Sequence, residues 1–178
     1  NIAPFCKATD SACGFSVNTW LMNRLEKFFL PYRAEVLPTL LPYSFRTVFS
    51  ERGGLFIHKD GKLLPFIHHS VSNIIEQYIL PETMMSWFFT LQAPETGGEL
   101  WVADSSYAEY EKEGQFDMVS PQGKKLLAND MEHIEVKPPT GSLLLFKGGS
   151  YWQKVMPPAT NCAYRVTLGG FMAKGRNQ

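Results

Sequence analysis

The chain has 178 residues, about the size of one domain, and 44% of them are hydrophobic, which excludes general disorder. Seventeen basic residues balance seventeen acidic ones without a basic stripe, so we expect no nucleic-acid partner. No apolar run approaches the roughly 18 residues of a membrane span, so we expect no membrane partner either. Three cysteines without paired spacing predict reduced thiols in a cytoplasmic protein, although a signal peptide removed before Asn1 stays an open alternative.

Residues 1–42 predict a helical N-terminal region. Residues 1–14 show no regular pattern and predict irregular chain. From Ser16 a helix is predicted, which Pro31 ends, because apolar residues recur at helical spacing: Trp20, Leu21, Leu25, Phe28 and Phe29. A second short helix is predicted over Arg33–Leu41, bent or broken at Pro38.

Residues 43–173 change to short β-type runs separated by Gly, Pro, Asn and Asp. A small surface helix is predicted at Tyr107–Glu113, and residues 114–132 predict a loop. The predicted strands are Arg46–Ser50, Leu55–Lys59, Leu63–His68, Ser86–Gln92, Glu99–Ala103, His133–Lys137, Ser142–Lys147, Trp152–Met156 and Tyr164–Phe171. No repeat or linker divides the chain, so we predict one α+β domain over residues 1–178, built as a two-sheet jelly roll or a barrel.

The motif His58-Lys59-Asp60 carries the most information about chemistry. Residues two apart on a strand point to the same side of the sheet. A His and a carboxylate so placed are two-thirds of a facial triad, in which two imidazoles and one carboxylate hold Fe(II). Asp60-Gly61 is also a hairpin-turn signal, so a purely structural role for Asp60 stays open.

Three motifs occur in a fixed order along the chain. The first spans residues 49–60 and contains His58 and Asp60; the second, residues 91–100, contains Gly97-Gly98-Glu99-Leu100; the third combines residues 141–146, 152–157 and 164–167. In this ordered set, over roughly residues 45–172, the chain resembles the Fe(II)/2-oxoglutarate-dependent oxygenase superfamily. Within this superfamily, the chain most resembles the prolyl-hydroxylase-like branch and the related free-standing halogenases of alkaloid biosynthesis. The resemblance implies a double-stranded β-helix, of jelly-roll or cupin type, with the N-terminal helices packed on one sheet.

The resemblance also implies the cofactors Fe(II) and 2-oxoglutarate and the residues that hold them. The first iron His and the carboxylate match His58 and Asp60, and the second iron His falls at Gln153. Arg165 matches the family's Arg for the distal carboxylate of 2-oxoglutarate, and Thr167 matches the hydroxyl residue that follows it. Arg offers a bidentate fork to a carboxylate, and residues two apart on one strand both face the interior. A surface ion pair for Arg165 is the alternative.

Gln153 leaves three interpretations open, because an amide oxygen is a poorer iron ligand than an imidazole. In the first, Gln153 coordinates the iron weakly through its oxygen. In the second, another His, such as His68, supplies the third bond. In the third, the site holds no iron and Gln153 forms hydrogen bonds in the pocket. An alternative alignment makes His68-x-Ser70 the first metal motif. His133-x-Glu135 has a similar spacing, but we predict a surface pair there.

The leading functional hypothesis is an oxygenase acting on a small organic molecule, an amino acid or a natural-product intermediate. Because Asp60 occupies the place that a halide would need, hydroxylation or desaturation is favoured over halogenation. Two alternatives stay open. One is a metal-independent, redox-neutral enzyme such as a cyclase or isomerase, with His58, His68 or Gln153 aimed at the substrate. The other is a ligand-binding protein without turnover. The sequence does not indicate an oligomeric state.

Overall fold

A computed structural model describes residues 3–31, 33, 35–36, 43–50, 54–60, 77–103, 132–159 and 164–176. The chain divides into two compact units, residues 1–44 and 45–178, and the single-domain organisation stays a prediction. The predicted strand Leu63–His68 and the predicted helix Tyr107–Glu113 lie outside the described residues. Within the described part of the chain, no helix is long and apolar enough to cross a membrane.

The first unit contains two helices, α1 (Ala3–Cys13) and α2 (Val17–Phe29). The prediction of irregular chain over residues 1–14 is therefore wrong. Hydrogen bonds at the C-terminal end of α1 account for the helix better than the spacing of its apolar residues does. Gly14, at φ 74°, donates its N–H to the carbonyl oxygen of Asp10 at 2.9 Å, and the Asp10 side chain accepts from the N–H of Val17 at 2.9 Å.

Helix α2 confirms the prediction of a helix from Ser16 to Pro31. Ser16 is its N-cap and accepts from the N–H of Thr19 at 3.4 Å, and the buried residues Val17, Leu21 and Leu25 recur every four positions. The predicted second helix is wrong at Arg33, Glu35 and Val36, which lie outside any helix. A proline at residue 38 disfavours helical backbone before it and removes a hydrogen-bond donor.

The second unit is formed by eight described strands in two four-stranded sheets. One sheet has the order β1-β8-β3-β6 and the other has the order β2-β7-β4-β5, and each pairing with a resolved register is antiparallel. The strands are β1 (Ser44–Val48), β2 (Leu55–His58), β3 (Met85–Gln92), β4 (Leu100–Ala103), β5 (His133–Val136), β6 (Leu143–Phe146), β7 (Trp152–Val155) and β8 (Arg165–Met172). The predicted α+β class is thus confirmed.

Apolar side chains from both sheets meet in one core. Phe88 of β3 packs with Leu100 of β4 and Val155 of β7, and partly buried side chains of β1, β6 and other strands surround them. Trp87 and Phe88, which are adjacent on the central strand β3 and therefore point to opposite faces of the sheet, are both buried. The two sheets therefore face each other, and polar side chains that point inward from them share one enclosed space.

Candidate active site

His58 and Asp60 lie side by side where β2 ends. His58 is the last residue of the strand, and both residues are buried. The Nε2 atom of His58 is 3.3 Å from Oδ1 of Asp60. The backbone N–H of Asp60 donates to the carbonyl oxygen of Gly148 at 2.9 Å and so holds Asp60 just beyond the strand. An imidazole nitrogen and a carboxylate oxygen thus form one buried corner.

Gln153 reaches this corner from the neighbouring strand β7. His58 and Gln153 are Cα partners in the β2–β7 pairing, so their side chains leave the sheet on the same side. The Nε2 atom of Gln153 donates to Oδ2 of Asp60 at 2.5 Å. Because only the nitrogen of the Gln amide can donate a hydrogen bond, that nitrogen faces Asp60, and the amide oxygen remains an acceptor for another partner.

Ser86 and Gly148, which the sequence analysis missed, complete the surroundings of Asp60. The hydroxyl of Ser86 on β3 donates to Oδ2 of Asp60, beside the bond from Gln153. A side chain at residue 148 would collide with both Ser86 and the Asp60 carboxylate, so only glycine fits there. A buried hydroxyl needs a hydrogen-bond partner, but the burial of Ser86 is visible only in the structure, so the sequence carried no signal for it.

Arg165 and Thr167 lie on β8 and are both buried, with Arg165 only 4% exposed. The alternative of a surface ion pair for Arg165 is therefore wrong. The guanidinium carbon of Arg165 lies 4.7 Å from the ring centroid of Phe88. Burial first, and repulsion from Arg46 second, lower the pKa of Arg165 to about 10, while attraction to Glu99 opposes them. The side chain is still a cation at neutral pH.

Arg46, on β1, is a second cation that the sequence analysis did not select. Burial lowers the pKa of Arg46, and attraction to Asp60 opposes that shift. Its guanidinium carbon is 5.3 Å from the ring centroid of Phe171. Phe45 and Thr47 are exposed, so Arg46 points the other way, with Val48, and no pattern in the sequence marked this direction.

One cavity of about 40 Å³ between the sheets brings these side chains together. It is large enough for two or three water molecules. His58, Asp60, Gln153, Arg165 and Thr167 all line it. The other lining residues are Arg46, Val48, Leu55, Ser86, Trp87, Phe88, Leu100, Phe146, Val155 and Gly170. His68, the alternative ligand, lies outside the described residues.

The corner at His58 and Asp60 fits a divalent metal ion. Bonds of about 2.0–2.2 Å to an imidazole nitrogen and a carboxylate oxygen, at about a right angle, separate the two donor atoms by about 3 Å. The observed separation of 3.3 Å is close to this value. Within the described ranges, no group of three His, Cys, Asp or Glu side chains could hold a metal ion. Two candidate donor atoms thus stand at a separation that a metal ion could bridge, and the amide of Gln153 lies beside them.

Known proteins show where this chain belongs. A family model described as "Carrier-protein-independent halogenase WelO5" matches residues 33–178. Among solved structures, the chain is similar to a novel N-substituted L-amino acid dioxygenase from Burkholderia ambifaria AMMD, in complex with alpha-KG. The two are 17% identical with a TM-score of 0.47, over 84% of this chain and 53% of that one, so this chain spans about half of that dioxygenase. No curated protein matches the chain significantly.

The family match covers the whole region that holds the three motifs and the cavity. The resemblance drawn from those motifs is confirmed. The chain belongs to the carrier-protein-independent halogenase WelO5 family, within the Fe(II)/2-oxoglutarate-dependent oxygenase superfamily.

Proposed function

We propose that the chain is an Fe(II)/2-oxoglutarate-dependent oxygenase that oxidises a C–H bond of a small organic molecule, an amino acid or a natural-product intermediate. The observation that carries the proposal is the presence of two partial sites in one cavity. The metal corner of His58 and Asp60 shares that cavity with the buried cation of Arg165 and the hydroxyl of Thr167. Cytoplasmic location stays a prediction.

Each polar side chain has a defined task in this proposal. His58 Nε2 and Asp60 Oδ1 would hold the iron, while Arg165 and Thr167 would clamp the distal carboxylate of 2-oxoglutarate. Iron bound there would supply oxygen activation coupled to decarboxylation of 2-oxoglutarate to succinate. Apolar side chains form much of the cavity wall, and a surrounding of low polarity strengthens the attraction between the guanidinium and a carboxylate.

Asp60 supports hydroxylation over halogenation, although the family model is named for a halogenase. Two hydrogen bonds, from Ser86 and Gln153, fix its Oδ2 atom, and Oδ1 faces His58. A halide ligand would need the place that this carboxylate fills. We therefore propose that the reaction inserts a hydroxyl group or removes hydrogen.

The strand order supports a double-stranded β-helix, which we propose as the fold of the second unit. The eight strands of the described residues, in two facing four-stranded sheets, are the composition of a jelly roll. In such a fold the sheets alternate along the chain, as they do here from β1 to β4, which pass through the two sheets in the order first, second, first, second. The metal corner and Arg165 then approach each other from opposite sheets.

A metal-independent reaction is the second candidate, and the Gln153–Asp60 hydrogen bond favours it. That bond ties up the amide at the position where the family has its second iron His. His58 would then serve as a general acid or base toward the substrate in a cyclisation or isomerisation. Turnover that persists with a chelator and without 2-oxoglutarate would support this candidate.

The direct test of the oxygenase proposal is succinate formation. The protein is supplied with Fe(II), 2-oxoglutarate and oxygen, with and without a panel of amino acids. We expect succinate in the unaltered chain, with much less in His58→Ala and Arg165→Gln. The matched control is His133→Ala, which removes an imidazole from β5, outside the cavity. The proposal fails if the unaltered chain yields no more succinate than His58→Ala.

A further inference from the structure

Two lysine–tryptophan contacts lie on the face of the β2-β7-β4-β5 sheet that is turned away from the cavity. Trp152 and Lys154 are two residues apart on β7, and Gln153 between them lines the cavity, so both point away from it. The Nζ atom of Lys59 is 5.1 Å from the ring centroid of Trp152. The Nζ atom of Lys154 is 5.2 Å from the ring centroid of Trp101, its cross-strand neighbour. The two contacts are thus alike in distance.

Burial distinguishes the two contacts. Lys59 is 8% exposed and Trp152 is 2% exposed, whereas Lys154 and Trp101 are half-buried. A lysine is almost never buried this deeply unless its charge has partners, and the ring of Trp152 is one of them. The attraction between a cation and an aromatic face is stronger when both are removed from water. The side chain of Lys59 is therefore held more firmly than that of Lys154.

The buried contact lies directly behind the metal corner. Lys59 is the one residue between His58 and Asp60, and Trp152 immediately precedes Gln153. His58 and Gln153 are Cα partners, so the same two strands carry the corner on one face and the lysine–tryptophan contact on the other. Because β2 ends at His58, the backbone of Lys59 sets the direction from which the Asp60 carboxylate approaches the imidazole.

We propose that Lys59 is a positioning residue for the metal corner. Its contact with Trp152 fixes the backbone between His58 and Asp60, and so keeps their donor atoms 3.3 Å apart. The inference rests on the proposed function, because it takes these two side chains as metal ligands. Groups that orient the ligands raise metal affinity without touching the metal themselves, because the donor atoms are already in place when the ion arrives.

The charge of Lys59 acts on the metal with the opposite sign. A cation behind the corner repels a divalent ion, so removal of the charge alone would raise metal affinity. Release of the backbone between His58 and Asp60 would lower it. The direction of the change therefore separates positioning from simple electrostatics.

Titration of the protein with Co(II), followed by its visible absorption, is the test of positioning. Lys59→Met keeps an unbranched side chain and removes the cation, and we expect Co(II) affinity to fall by about tenfold, the lower end for groups that orient a metal ligand. Lys59→Arg keeps a cation over the ring and should retain most of the affinity. Trp152→Leu removes the ring but keeps the charge of Lys59, and it should lower the affinity as well.

The half-buried contact supplies matched controls. Lys154→Met and Trp101→Leu make the same chemical changes in the neighbouring lysine–tryptophan pair, away from the corner, and should leave Co(II) affinity unchanged. Thermal unfolding checks that each variant is folded. If Trp152→Leu is not folded, Lys59→Met and its rescue in Lys59→Arg decide.

Amide hydrogen exchange in the metal-free protein reports on the backbone itself. The N–H of Asp60 donates to the carbonyl oxygen of Gly148, and we expect its exchange to speed up by about tenfold or more in Lys59→Met. The N–H of Phe88, in the middle of β3, should keep its rate, because general destabilisation would speed up both. Lys154→Met should change neither rate.

Two results would overturn the inference. One is a Co(II) affinity in Lys59→Met that is unchanged or higher than in the unaltered chain. The other is an equal loss of affinity in Lys59→Met and Lys154→Met. Failure of Co(II) to bind the unaltered chain contradicts the proposed function instead, and the exchange rate of the Asp60 N–H then still decides whether Lys59 fixes this backbone.

Discussion

Two histidine–carboxylate pairs with the same spacing lie on the two edge strands of one sheet, and their surroundings differ. His58 and Asp60 at the end of β2 are 3.3 Å apart, with side chains 9% and 3% exposed. His133 and Glu135 on β5 are 3.7 Å apart, with side chains 24% and 58% exposed. The spacing alone therefore does not identify a metal site.

The hydrogen-bond partners account for the difference between the pairs. Asp60 accepts from Ser86 and Gln153, which come from two other strands, whereas the ring of His133 stacks on Trp101 at 4.0 Å between ring centroids. An enclosed carboxylate with fixed donors presents one oxygen in one direction. Exposed pairs of this kind contribute little to stability. Perturbing the two pairs in parallel should therefore give very different results.

Removing the carboxylates should produce the largest contrast. We expect Asp60→Ala to lower Fe(II) affinity at least 100-fold and to destabilise the fold, since each buried donor left without an acceptor costs about 1–3 kcal/mol. Glu135→Ala should change the free energy of unfolding by less than about 0.5 kcal/mol. Anaerobic metal titration and denaturant unfolding measure both quantities, and equal effects at the two sites would contradict the contrast.

Gly148→Ala should disturb the buried pair without removing a charge. A methyl group there collides with Ser86 and Asp60, so we expect a loss of about 1–3 kcal/mol in unfolding free energy together with weaker Fe(II) binding. The control is Gly141→Ala, where a methyl group meets no atom within 4 Å but the φ of 86° is strained. Its metal affinity should stay unchanged, and a normal affinity in Gly148→Ala would show that Asp60 is not confined.

Gln153→His should restore a second imidazole at the corner. We expect Fe(II) affinity to rise by more than tenfold, or about 1.4 kcal/mol, because imidazole is the better iron ligand. Lys154→His places the same ring one residue further along β7, outside the cavity lining, and should have no effect. An unchanged affinity in Gln153→His would mean that residue 153 does not face the metal.

Ser86→Ala should give the smallest of these changes. It removes one of two donors to Oδ2 of Asp60 while Gln153 keeps the other, so we expect Fe(II) affinity to fall by about tenfold, the lower end for groups that orient a metal ligand. Ser142→Ala removes a surface hydroxyl that donates to Pro139 and serves as the control. Equal metal affinities in the two variants would remove Ser86 from the site.

Much of the candidate site follows from short-range spacing. The two-residue spacings in His58–Asp60 and in Arg165–Thr167 place each pair on one side of a strand, and the order of the motifs gave the resemblance. The predicted strands that lie in the described ranges are present, with shifted ends. Period-two patterns survive in the fold because one face of each sheet meets the shared core.

The parts that the sequence did not reveal depend on contacts between distant segments. Ser86 and Gly148 matter because β3 and the turn after β6 approach Asp60, and no local pattern reports that approach. Arg46 looks like an ordinary strand residue until β1 is placed beside β8. Helix α1 was missed for a different reason, since its end is set by Gly14 and Asp10 and not by an apolar stripe.

The most direct measurement of the central claim is the visible spectrum of the Fe(II)-loaded protein when 2-oxoglutarate is added without oxygen. A weak charge-transfer band should appear in the unaltered chain and in Glu135→Ala. It should be lost or greatly weakened in Asp60→Ala and in Arg165→Gln. No band in the unaltered chain would contradict the account.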